Sequence, residues 1–94
     1  MALVRVAAVE SVDARVLGVV FTDGLVRELD FASCNAGVFA ALDDDTFAAV
    51  SVDPVAGTIS FPGGIDFDRD VLHGDAPAAS RHQPVLIRQY RLEH

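Results

Sequence analysis

The chain has 94 residues, 51% of them hydrophobic, a net charge of −7 and a single cysteine. That composition suits one domain with a real core. It argues against a disordered chain, a disulfide framework and a surface built to grip nucleic-acid phosphates, so no direct nucleic-acid contact is expected. No apolar run approaches the roughly 18 residues that span a bilayer, and Met1 to Arg5 places no basic region ahead of an apolar stretch. No membrane association and no secretory signal are therefore expected, and the setting read from the sequence is cytoplasmic. All seven basic residues are arginine, a bias that, with abundant Ala, Val, Asp and Gly, suggests a bacterial genome.

Leu3 to Val9 alternates loosely and reads as a first strand. After the polar connection 10–14, Arg15 to Phe21 is apolar on both faces, as in a strand covered on two sides, with Gly18 marking a bulge or a close contact. Thr22-Asp23-Gly24 is a hairpin signal, because Gly supplies the positive φ of a tight turn. Leu25 to Phe31 is the partner strand, with Leu25, Leu29 and Phe31 on one face and Arg27 interrupting them.

Ser33 or Asn35 is placed to cap a short helix running to about Leu42, with Val38, Phe39 and Leu42 on one side and Asp43-Asp44-Asp45 ending it as a solvated loop. Phe47 to Val52 reads as a fourth strand and 53–57 as a turn. Thr58 to Phe61 alternates cleanly with Ile59 and Phe61 inward, and reads as the fifth strand. Pro62-Gly63-Gly64 stops it, and Asp66 or Asp68 is placed to cap one helical turn through Leu72.

The chain changes character near Gly74. Residues 1–74 carry four Arg and twelve acids, a net of −8, while residues 75–94 carry three Arg and two acids, a net of +1. We read 1–74 as a single domain and 75–91 as a linker with a C-terminal tail. Residues 92–94, Leu-Glu-His, read as an expression-tag remnant. Within the tail, Val85 to Arg91 is compatible with a sixth strand, a helix or a frayed end.

The succession of hairpin strand, Phe21-Thr22-Asp23-Gly24, second strand, short helix, Phe-led strand and then Gly57-Thr58-Ile59-Ser60-Phe61-Pro62-Gly63-Gly64-Ile65-Asp66 resembles the family called domain of unknown function 2442, over about residues 5 to 73. Phe61 stands where the family has Trp, Gly63 where it has Asn, and Leu72-His73 where it has Leu-Tyr. Pattern and resemblance together predict an α+β fold: a small, mostly antiparallel β-sheet of about five strands with one or two short helices. The family's fusions to helix-turn-helix domains, and neighbouring genes for another small protein, imply a partner-binding module of regulatory or antitoxin-like character. The resemblance implies no catalytic residue.

Constellations that would carry chemistry fail on their own terms. Asp66-x-Asp68-x-Asp70 has the spacing of the first calcium-loop ligands, but Val71 and Pro77 stand where that loop needs Gly and Glu; helix capping accounts for the same acids. Asp43-Asp44-Asp45 is better read as a solvated face than as a metal site. Cys34 with His73 or His82 lacks any local nucleophile motif, and Cys34 reads as a small half-buried hydrophobe. Gly63-Gly64 lacks the Gly-Lys-Ser/Thr ending of a phosphate loop, and Phe61-Pro62 reads as a strand end on the core. No catalytic residue, cofactor or metal is expected.

The tail is the most distinctive surface element. Val85, Leu86, Ile87, Arg88, Tyr90 and Arg91 form a basic, apolar segment able to add to a sheet edge or dock in a groove. The sequence thus points to a non-enzymatic interaction module whose partner is an unknown protein or a second copy of the chain. Two alternatives stand beside it: a nucleic-acid-linked regulator acting through a partner, and a small-molecule or metal binder near Asp66–Asp70.

Overall fold

A computed structural model describes residues 4–32, 42–67, 72–73 and 84–92. The elements in chain order are β1 (Val6–Asp13), β2 (Val16–Phe21), β3 (Leu25–Asp30), α1 (Asp44–Ala48), β4 (Ser51–Asp53), β5 (Thr58–Phe61), β6 (Ile65–Asp66) and β7 (Val85–Arg91). They form two antiparallel sheets, one of order β1-β2-β3-β7 and one of order β4-β5-β6. The mostly antiparallel sheet with a short helix is as expected. The count is not: among the described residues there are seven strands rather than about five, split between two sheets, with one short helix, so the domain is mainly β.

The β2–β3 hairpin follows from local chemistry. Gly24 takes φ +87°, its N–H donates to Phe21 O at 3.0 Å, and Asp23 Oδ1 accepts from Leu25 N at 3.0 Å. The register this sets, Val20 opposite Val26 and Leu17 opposite Leu29, puts Leu17, Val19, Phe21, Leu25 and Leu29 together in the core. A one-residue slip would turn all of them to the other face. Arg27, which interrupts the apolar face in sequence, reaches along it to donate from Nη1 to Leu72 O at 2.6 Å.

Three expectations fail between residues 43 and 66. Phe47 lies in α1 and not in a strand, and the three aspartates begin that helix instead of closing an earlier one. Asp43 Oδ1 accepts from Thr46 N at 2.7 Å as the N-cap, and Asp44 and Asp45 occupy the first turn, where the helix dipole favours negative charge. The strand after it, β4, is correspondingly short. Ile65-Asp66 is strand β6, not a helix start: Gly63 and Gly64, at φ +95° and +78°, make a turn tight enough to fold it back on Ser60 and Phe61. Leu72 and His73 are helical. The proposed helix from Ser33 or Asn35 to Leu42 falls mainly outside the described residues, as do Asp68 and Asp70.

The core lies between the large sheet and the elements that cover one face of it. Phe31 meets Phe47 and Phe67 edge-on, at centroid separations of 5.6 and 5.3 Å, and Phe47 stacks on Phe61 at 5.3 Å. Arg15 closes the cluster from outside: its guanidinium lies 5.0 Å from the Phe47 ring centroid, its Nη2 donates to Leu42 O at 2.7 Å, and its Nε lies 3.2 Å from Asp44 Oδ1. Gly57 is held at φ +72° beneath the Arg5 side chain, whose Nη2 donates to Pro54 O and Val55 O. A β-carbon there would sit 2.9 Å from Arg5 Cζ.

Two substitutions test these contacts by equilibrium denaturation. Phe47→Ala should cost about 3–5 kcal/mol, through lost transfer energy and the cavity left among the other rings. Gly57→Ala should cost about 1–3 kcal/mol, because an L side chain is strained at that φ and meets the Arg5 stem.

Candidate interaction edge

The tail segment Val85–Arg91 is strand β7, antiparallel to β3 at the end of the large sheet. Leu25 faces Arg91, Val26 faces Tyr90, Arg27 faces Gln89 and Glu28 faces Arg88; then the register shifts, and Leu29 faces Leu86 and Asp30 faces Val85. The shift leaves Ile87 opposite no β3 residue.

Three attachments hold β7. Arg88 Nε donates to Glu28 Oε2, and the Arg88 guanidinium lies 5.3 Å from the Tyr90 ring centroid. The Glu28 carboxylate raises the Arg88 pKa. At the far end, Arg91 Nη1 donates to Asp23 O at 3.2 Å and lies 3.8 Å from Asp23 Oδ2, and Leu92 N donates to Gly24 O at 2.8 Å. Asp23 Oδ2 also pairs with His73 Nε2 at 2.9 Å, and the His73 ring stands edge-on to Phe21 at 4.8 Å. The Leu25 N–H bond, followed by the His73 and Arg91 contacts, holds the Asp23 carboxyl below its ordinary 3.8. The hairpin turn thus anchors two separate parts of the chain, His73 and the end of β7.

Despite these attachments every residue of β7 is exposed, including Val85 (58%), Leu86 (42%), Ile87 (52%) and Tyr90 (45%). Leu86 lies on the core side of the sheet, level with Leu29, and Val85 on the opposite side, level with Asp30. That opposite face carries an open groove of about 400 Å³, with Gly18 in its wall between Val20, Val26, Glu28, Arg88 and Tyr90.

All six tail residues singled out from sequence therefore lie on one strand at one sheet edge. Their anchors, Asp23 and Glu28, carried no signal of this role: the pairings span 60 and 68 residues of sequence. Asp66 lies in β6 opposite Ser60, exposed. Cys34 and His82 fall outside the described residues. Among the described residues no cluster of three or more His, Cys, Asp or Glu side chains could hold a metal ion, and no helix is long and apolar enough to cross a membrane.

Fold and edge together define a small antiparallel β domain with an exposed apolar strand closing its larger sheet. The chain belongs to the family described as protein of unknown function (DUF2442), whose model matches residues 6–77. β7 lies beyond the matched residues, although it completes the sheet that they build. No curated protein and no solved structure matches the chain.

The Asp23 junction has a pH signature. Its lowered pKa contributes stability that is present above 3.8 and lost as pH falls through the lower folded value. Asp23→Asn can still accept from Leu25 N but loses the charge facing His73 and Arg91. In thermal melts its deficit against the wild type should be largest above pH 3.8 and should close below it.

Proposed function

We propose that this chain is a non-enzymatic protein-interaction module that works through the exposed edge of β7. The observation that carries the reading is the mismatch between the composition of this strand and its position. A run such as Val85-Leu86-Ile87, apolar on both faces, suits a strand covered on both faces inside a sheet, yet it lies at an edge with each of the three residues more than 40% exposed. Edge strands usually avoid this combination, because their unpaired N–H and C=O groups already invite a further strand. A partner that adds a strand gains backbone hydrogen bonds and covers Val85, Leu86 and Ile87 at the same time.

A regulatory or antitoxin-like role would use the same surface, and we place the module in the cytoplasm. The apolar character of β7 supports a protein partner: its two arginines, Arg88 and Arg91, are already engaged by Glu28 and Asp23, so this strand offers phosphates no unpaired positive charge.

Affinity capture from the native host tests the reading, with full-length wild type beside Ile87→Lys. A stoichiometric companion, whether another protein or an untagged copy of the chain, should be recovered with the wild type and depleted at least tenfold with the variant. Equal recovery with both, or none from either, would refute it.

A further inference from the structure

We infer that the partner at this edge is a second copy of the chain, with β7 pairing antiparallel to β7 of its twin and the two four-stranded sheets joining into one of eight. This rests on the interaction-module reading and names the occupant of the same edge.

First, among the described residues, the large sheet offers one edge for continuation. The β1 edge is occupied at its start: the Val6 N–H, on the side away from β2, donates to Gly57 O at 3.0 Å, and β1 packs against β4. Farther along, β1 carries Glu10 and Asp13 and has two register irregularities, features that discourage strand addition. The β7 edge has no strand beside it among the described residues; between Val85 and Arg91 it carries no Pro, and both of its charged residues are paired within the chain. With one open edge, a second copy can join the sheet only through the same edge. That contact is isologous and closes as a two-fold dimer instead of propagating into a filament.

The second argument is electrostatic. Bringing two chains of net charge −7 together is unfavourable unless the contact avoids their acids. β7 is free of acidic residues, and its two arginines are balanced within their own chain, Arg88 by Glu28 and Arg91 by Asp23. A two-fold axis at Leu86 sets Val85, Leu86 and Ile87 opposite the same three residues of the twin and keeps Arg88 and Arg91 off the axis. Pairing covers those side chains on both faces and brings the two Tyr90-lined grooves toward one continuous surface.

The test is sedimentation of the full chain from low micromolar to near-millimolar concentration, with amide hydrogen exchange across the same series. The wild type should reach twice the chain mass. The alternate β7 amides that point away from β3 should slow as the dimer forms and speed up again on dilution. Ile87→Lys and Leu86→Lys, each verified as folded by circular dichroism, should stay at the single-chain mass; Val55→Lys, an exposed apolar residue in the 54–57 turn, should dimerise as the wild type does. A wild type monomeric throughout overturns the proposal, as does a dimer in which those amides exchange freely or one that survives both lysine variants. A monomer that still captures a different protein, lost with Ile87→Lys, overturns self-pairing alone and leaves the interaction module standing.

Discussion

A four-stranded sheet has to cover one of its apolar faces, and here four phenylalanines from separate parts of the chain help to do so. Phe31 follows β3, Phe47 sits in α1, Phe61 ends β5 and Phe67 follows β6; their rings meet at centroid separations between 5.3 and 5.6 Å. None of the short elements that supply the last three would be stable alone: α1 has five residues, β5 four and β6 two. They persist because their aromatic side chains are buried together against the hairpin. Arg15, stacked on Phe47 and bonded to Leu42 O and Asp44, ties the cluster to the start of β2.

The opposite situation holds at β7. Its attachment to the sheet is by backbone pairing, two ion pairs and the Leu92 N–H bond, and none of its side chains is buried. Exposed ion pairs hold a strand weakly, so β7 has much to gain from a neighbour on its other side. Apolar residues are thus placed at an edge with little to bury them.

Much of the first half of the fold was legible from local chemistry. Asp23-Gly24 between apolar runs specified a hairpin, and Leu25, Leu29 and Phe31 marked the inward face of its second strand; residues 15–21 are apolar on both faces, so the inward set Leu17, Val19 and Phe21 followed from the pairing register. The second half misled for an equally local reason. Phe47 to Val52 reads as a strand and Asp43 as the end of an earlier helix, whereas Asp43 caps the start of α1 and draws Phe47 into it. Gly63-Gly64 signalled a turn, but nothing nearby indicated that only two residues, Ile65 and Asp66, would return as a strand.

The candidate edge divides in the same way. Composition alone singled out Val85, Leu86, Ile87, Arg88, Tyr90 and Arg91 as a segment apart from the acidic body. Whether they formed strand, helix or loose end depended on Glu28, Asp23 and Gly24, partners about 60 residues away whose role is set by the placement of β3. The sequence by itself determined the hairpin, the inward face of its second strand, the turns and the apolar, basic character of the tail, because each depends on residues within a few positions of one another. Only the tertiary structure decided that the short elements divide into a second sheet and that the tail closes the first, because both outcomes rest on contacts between residues that are neighbours in space and distant along the chain.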